Sequence, residues 1–162
     1  MIRPLTIENL PEYAEVIRQS FATVADDFGI TPENCPLHNV FISDETLAER
    51  FTKYFFPFGY FIDKKLIGFV SLTDRGENIF EMNLLSILPS YRHLGYGKEM
   101  VDFCKKKISE RGGKKIIISI WEKHTRLKDW YTANNFVLIE AKTVDFFPFP
   151  VVHMEWKNKE LR

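Results

Sequence analysis

Hydrophobic and polar positions change period several times along the chain, and each change marks an element. Residues 2–7 alternate enough for a short strand, which Pro4 confines to a sheet edge. Asn9 is placed to cap a helix with Pro11 in its first turn, and Tyr13, Val16, Ile17, Phe21 and Val24 follow at helical spacing. Residues 26–42, interrupted by Gly29, Pro32 and Pro36, read as loop. Ser43 caps a second helix, with Asp44 and Glu45 in its first turn and Leu47, Phe51 and Tyr54 as its apolar stripe. From Gly59 the period shortens. Residues 60–62 and 66–72 flank Asp63-Lys64-Lys65 as a hairpin, Arg75-Gly76-Glu77-Asn78 makes a second turn, and 79–88 is a third strand. Helical spacing returns at about 97–110, with Met100, Val101, Cys104 and Ile108 on one face and Gly112-Gly113 past its end. Residues 115–121 are β-branched and nearly continuous, as in a buried parallel strand. A short helix at 125–133 and strands at 136–141 and 151–156 complete the pattern. The order β-α-α-β-β-β-α-β-α-β-β predicts an α/β fold built on a mixed α+β sheet, and residues 1–162 are expected to form a single domain.

Composition narrows the classes. Lys plus Arg and Asp plus Glu are both 22, so the formal net charge is zero. That balance argues against a broad electrostatic grip on nucleic acid or anionic membrane. Two distant cysteines, Cys35 and Cys104, suggest neither a disulfide framework nor a zinc ribbon, and His38 and His153 lack spaced metal partners. The longest apolar runs, such as Ile116-Ile117-Ile118, are too short to span a bilayer, and residues 1–4 do not open a signal peptide. A cytoplasmic location and no metal are the expectations. The unusual number is 15 Phe, eight of them in two segments: Phe51, Phe55, Phe56, Phe58 and Phe61, then Phe146, Phe147 and Phe149.

The segment from Leu85 to Lys98 runs from a strand through a turn with two glycines into a helix. That arrangement aims several backbone N–H groups and the positive end of a helix dipole at one spot. Gly95 and Gly97 let a phosphate approach the backbone, while Arg92, His93 and Lys98 surround it with cationic or potentially cationic groups. Lys98 is followed by Glu99 rather than Ser or Thr, so no Walker A loop is present. Met100 and the run Lys114-Lys115-Ile116-Ile117 stand where a dinucleotide fingerprint needs a small residue and an acid.

Arg92-x-x-Gly95-x-Gly97 after Ile87-Leu88-Pro89 resembles the acetyl-CoA motif of the GNAT N-acetyltransferase family, Gln/Arg-x-x-Gly-x-Gly/Ala. A second segment, Lys128-Asp129-Trp130-Tyr131-Thr132-Ala133-Asn134-Asn135-Phe136, resembles the short helix of that family that carries a Tyr and ends in Gly-Phe. Asn135 stands in the Gly position and is the other residue that accepts a left-handed backbone. His124 stands where an Asn often contacts the pantetheine arm, and Leu127 replaces a common Ala. The resemblance implies a mostly antiparallel central sheet with one splayed parallel strand pair and flanking helices. It further implies acetyl-CoA as co-substrate and a small-molecule or peptide amine as acceptor, in a monomer or homodimer.

The same resemblance assigns roles. Ser86, Ile87 and Leu88 would pair their backbone with the pantetheine amides, and residues Arg92, His93, Leu94, Gly95, Tyr96, Gly97 and Lys98 would hold the pyrophosphate, with His124 beside the arm. Tyr131 falls at the general-acid position, as acid or sulfur-orienting donor, although a helix aromatic beside Trp130 also suits packing. Acetylating an ammonium at neutral pH first requires losing a proton. Glu81, eleven positions before Arg92, matches a catalytic Glu of one family branch; Glu122 and a water relay are the alternatives, and an outward-facing strand Glu is the plain one. Cys104 reads as inert core and Lys105-Lys106-Lys107 as a solvated face. A module that binds acetyl-CoA without turnover is the rival reading. Both phenylalanine segments would flank the acceptor mouth in the family layout, either as core packing or as an aromatic acceptor pocket.

Overall fold

A computed structural model describes residues 1–145 and 147–160. The elements follow the expected order: β1 (Ile2–Pro4), α1 (Leu10–Phe28), α2 (Asp44–Glu49), β2 (Phe55–Ile62), β3 (Lys65–Asp74), β4 (Ile79–Ile87), α3 (Tyr96–Glu110), β5 (Lys115–Trp121), α4 (Thr125–Ala133), β6 (Val137–Lys142) and β7 (Val151–Lys157). The seven strands form one sheet in the order β1-β2-β3-β4-β5-β7-β6. Every neighbouring pair is antiparallel except β4 and β5. Among the described residues no helix is long and apolar enough to cross a membrane.

Helices cover both faces. Tyr13 of α1 stacks on Phe69 of β3 with centroids 4.6 Å apart. A Cβ on Gly68, the next residue along, would meet Met100 Sδ of α3 at 3.1 Å. Adjacent strand residues point to opposite faces, so α1 and α3 sandwich the centre of the sheet. The missing side chain of Gly68 is what lets α3 lie close to β3 and β4.

Local chemistry explains most boundaries. Asn9 precedes α1, but its side-chain oxygen accepts from Thr6 N (2.9 Å) and closes a preceding 3₁₀ turn instead of capping the helix. The helix runs on through Asp26 and Asp27, which had read as loop, until Gly29 takes the left-handed conformation (φ 64°). Ser43 caps α2 by accepting from Thr46 N at 3.1 Å. That helix stops at Glu49, short of the expected stripe; Tyr54 is exposed, and Phe51 packs on the core from the following turn.

β2 begins at Phe55, earlier than the expected start near Gly59, because Pro57 sits where a proline is harmless. A strand residue points its N–H and C=O to the same side, and the Pro57 carbonyl accepts from Leu5 N. The missing N–H therefore falls just past the end of the β1 ladder, where nothing needs it. The β2–β3 hairpin turns on two residues, Asp63 and Lys64, both at positive φ (48° and 69°).

The first phenylalanine segment is core. Phe55, Phe58 and Phe61 are buried, Phe51 and Phe56 pack against them, and Phe58 meets Phe103 of α3 at 4.9 Å. These rings hold β2 between the two helices and do not line the cleft described below.

Candidate active site

The parallel pairing of β4 with β5 covers only Ile79–Glu81 against Lys115–Ile117. Beyond it the strands part, and residues 82–87 and 118–121 face each other across an open gap. A bulge helps. Between the pairs Ser71–Asn83 and Phe69–Ser86, Val70 alone opposes Leu84 and Leu85, and Leu84 adopts φ 58°. A leucine there costs about 1 kcal/mol or more of backbone strain. Ser86, only 1% exposed, braces the bulge by donating its hydroxyl to the Leu84 carbonyl at 2.7 Å. The resulting cleft has a volume of about 1010 Å³ and is walled by the parted strands, α1, the segment after β4, and α4.

Backbone groups along the cleft do not match the expected trio in full. Leu88 N–H donates to Ile67 and its carbonyl accepts from Tyr91 N, so its donor is spent and its acceptor already engaged. Alternation then turns Ser86 toward β3 and puts Ile87 and Leu85 on the open edge.

The segment after β4 supplies the strongest feature. His93 (φ 63°) and Gly95 (φ 91°) are both left-handed. The backbone N–H groups of His93, Leu94, Gly95, Tyr96, Gly97 and Lys98 have no acceptor among the described residues, and they lead directly into the 15-residue helix α3. Left-handed residues in a turn swing successive N–H groups into a concave nest, and the helix dipole adds positive potential. An anion belongs there. Leu94 itself is 63% exposed and turns away from the cleft, while the Lys98 ammonium, on the cleft wall, pairs with Asp102 at 2.6 Å.

Arg92 corrects the sequence expectation of a cationic group around the phosphate. Its Nε donates to the Ile87 carbonyl (3.1 Å), Nη1 to Thr23 Oγ1 (2.8 Å), and Nη2 to the carbonyl and hydroxyl of Ser20 (2.8 and 3.1 Å). The guanidinium fastens the strand end and the turn to α1. Burial holds its pKa below the usual value, with Asp27 opposing. Arg92→Ala should therefore leave the Ile87 carbonyl without its donor, cut the tie to Ser20 and Thr23, and cost about 1–3 kcal/mol in a denaturant titration, with Arg92→Lys failing to restore it. Full stability combined with lost coenzyme affinity would instead mark the guanidinium as an anion ligand.

α4 forms the opposite wall. Asn135 adopts φ 70° where the helix ends, as its position required. Lys105 differs from the solvated face expected of it: its ammonium donates to the Asn134 carbonyl at 2.6 Å over the rings of Phe136 and Trp156, so α3 grips the end of α4. Tyr131 is 5% exposed and lines the cleft, held edge-on by Trp130 (5.0 Å) and Phe136 (5.3 Å). Burial, reinforced by the nearby Cys104, pushes its phenol well above the ordinary range. Cys104 is itself fully buried with its thiol pushed up, as inert core should be. His124 also lines the cleft; burial and Arg126 lower its pKa against the pull of Asp27, so it is neutral at pH 7.

Part of the cleft wall is aromatic. Phe21 lies 5.9 Å from His38, His38 lies 5.3 Å from Trp121, and Trp121 lies 6.2 Å from Phe147, all on the cleft wall. The second phenylalanine segment thus reaches the cleft through Phe147, whereas Phe149 packs behind it on Phe28 and Trp121; Phe146 lies outside the described residues. His38 is 6% exposed, its pKa lowered by burial, and its Nδ1 accepts from Val40 N at 3.2 Å. It carries no motif, because its ring neighbours Phe21 and Trp121 come from two distant segments.

The candidate bases are elsewhere. Glu81 does not line the cleft, and its carboxylate is held by Arg75, whose Nε lies 2.6 Å away and whose Nη2 also donates to it. Glu122 is exposed outside the cleft.

Similarity to known proteins agrees with this geometry. Residues 22–136 match the family model described as the acetyltransferase (GNAT) family. The chain is 25% identical over 158 residues to an uncharacterized N-acetyltransferase in the pepI 3′ region of Lactobacillus delbrueckii subsp. lactis, covering 86% of this chain and 90% of that one. Its fold is similar to the PaiA N-acetyltransferase of Thermoplasma acidophilum in complex with coenzyme A, with a TM-score of 0.78, 24% identity and 98% of both chains covered. It is also similar in fold to the ribosomal-protein-S18-alanine N-acetyltransferase of Escherichia coli, with a TM-score of 0.79, 12% identity, and 100% of this chain and 98% of that one covered. With the family model spanning most of the chain over the splayed strands, the N–H nest and the Tyr131 helix, this protein belongs to the GNAT acetyltransferase family.

Proposed function

We propose that the protein transfers an acetyl group from acetyl-CoA to a primary amine by direct attack within a ternary complex. The observation that carries this reading is the row of six open N–H groups, His93 to Lys98, at the edge of a cleft kept open by splayed strands. The pyrophosphate sits in that nest. The pantetheine arm would lie in the gap between β4 and β5 as an added strand, its amides meeting the open edge at Leu85 and at the N–H of Ile87, whose carbonyl is held by Arg92, with His124 beside it. An N–H of the bulge at Leu84–Leu85 polarises the acetyl carbonyl, already aimed because the bulge is fixed by Ser86.

The acceptor nitrogen attacks the thioester carbonyl carbon, the C–S bond breaks, and the sulfur leaves as thiolate. Tyr131 donates a hydrogen bond to that sulfur. Full proton transfer from a phenol above about 10 to a thiolate of about 8.5 is uphill by at least roughly 2 kcal/mol, so Tyr131 orients and stabilises while the proton lost from the attacking nitrogen balances the thiolate. The amine sheds its first proton to water in the open cleft.

Glu81→Gln is accordingly expected to leave kcat/KM within about threefold and the shape of its pH profile unchanged, with the acidic limb following the acceptor's own amine pKa. A loss of 100-fold or more, with the limb shifted, would make Glu81 the base. Initial rates measured against both substrates test the ternary complex: intersecting double-reciprocal lines are expected, and parallel lines would show an acetyl-enzyme and sink direct transfer.

A further inference from the structure

Arg50 follows the last turn of α2 and lines the same cleft as the ring wall of Phe21, His38, Trp121 and Phe147. Among the described residues its guanidinium makes no hydrogen bond, ion pair or ring contact, whereas Arg75 is committed to Glu81, Arg18 to Asp44, and Arg92 to Ser20 and Thr23; Arg126, also on the cleft wall, belongs to α4 beside His124. The side chain is open to the cleft by area, yet protein surrounds its charged end on enough sides that desolvation holds its pKa below the usual value. Glu81 is the acid whose field reaches it, and Glu81 already neutralises Arg75. A partly desolvated cation with five unspent donors gains most from an anion that reaches its N–H groups directly.

We propose that Arg50 anchors a carboxylate on the acceptor, so that the amine substrate is an amino acid or similar carboxylate-bearing amine with an apolar or flat body. This rests on the acetyltransferase reading of the cleft and adds the acceptor's chemistry to it. A guanidinium takes a carboxylate through two parallel N–H···O bonds, which fixes the direction from which the amine approaches the thioester. The Arg50 guanidinium carries one positive charge and balances one negative charge, which favours a carboxylate over a doubly charged phosphate. His38, neutral with Nδ1 occupied, keeps its remaining proton on Nε2 and offers the acceptor a donor rather than a second charge. A polycation gains nothing here, since Arg50 repels it.

The test uses N-acetylphenylalanine and N-acetylphenethylamine, product-like ligands that differ only by the carboxylate, titrated by calorimetry into the CoA-saturated protein and into the protein alone. The acid should bind about tenfold or more tightly than the neutral ligand. Arg50→Gln should bring the two within about twofold, Arg50→Lys should keep part of the difference, and CoA affinity should be unchanged in both variants. Equal binding by the unaltered protein, an advantage that survives Arg50→Gln, or a stronger preference for the phosphonate counterpart would each overturn the proposal. Failure to bind CoA would strike the acetyl-transfer reading instead, because the acid preference is also read without coenzyme.

Discussion

A Gly97→Glu protein should fold normally and lose acetyl-CoA affinity by at least about 100-fold. The backbone at Gly97 needs no left-handed conformation, and a Cβ there would sit 3.4 Å from Trp130 and 4.0 Å from Ile87, an ordinary contact. The fold therefore has room for the first carbon. Beyond that carbon, a carboxylate enters the cleft wall next to the N–H groups of His93 to Lys98, where the pyrophosphate would lie. A carboxylate about 4 Å from a phosphate charge, at the effective dielectric of a protein surface, costs about 4 kcal/mol, and each 1.4 kcal/mol is tenfold in affinity. Gly97→Ala, which adds the carbon without the charge, should lose far less. Gly95→Ala separates the two roles of glycine in this turn. Nothing lies within 4 Å of its would-be Cβ, but φ 91° strains any other residue, so the penalty falls on the shape of the nest. Calorimetry with CoA, next to a thermal unfolding scan, distinguishes these effects. Unchanged affinity in Gly97→Glu would mean that the nest is not the coenzyme site.

Tyr131→Phe should lower kcat by about 10–100-fold while leaving the KM for acetyl-CoA within about twofold. The substitution removes one oxygen from a ring otherwise fixed by Trp130 and Phe136, so no cavity opens and the helix keeps its place. The phenol is protonated at every working pH, because burial lifts its pKa, and its hydrogen bond strengthens only as negative charge gathers on the departing sulfur. An interaction made chiefly in the transition state appears in kcat rather than KM. For the same reason the alkaline side of the pH profile should not change in the variant. If kcat were untouched, Tyr131 would be a packing residue, and the leaving thiolate would draw its stabilisation from elsewhere.

Local rules carried far in this chain where the determinants are local. Ser43 before Asp44-Glu45, Gly112-Gly113 after α3, Asn135 in a left-handed turn, and Gly95 in the nest each follow from short-range chemistry, and the element order follows from the periods between them. What stayed hidden depends on distant partners. Nothing in Asn83-Leu84-Leu85 marks a bulge, since no glycine lowers its cost; the register with β3 imposes it. Arg92 reads as a phosphate ligand until α1, some seventy residues earlier, presents Ser20 and Thr23 to it. The phenylalanine excess divides by position in the sheet: rings on β2 fall between two helices, while Phe147 reaches Trp121 and the cleft. His38 and Arg50 carry no motif. Each gains meaning from the surfaces that converge on it.

The most direct measurement of the central claim is thiol release from acetyl-CoA in the presence of single amines, with the N-acetyl product identified by mass. The account predicts stoichiometric thiol and N-acetyl amine for at least one carboxylate-bearing amine, at rates far above acetyl-CoA hydrolysis, and near-complete loss of both in Gly97→Glu. Tight acetyl-CoA binding with no amine-dependent thiol release across small-molecule and peptide amines would contradict it, and would make the protein a coenzyme-binding module built on the same nest and cleft.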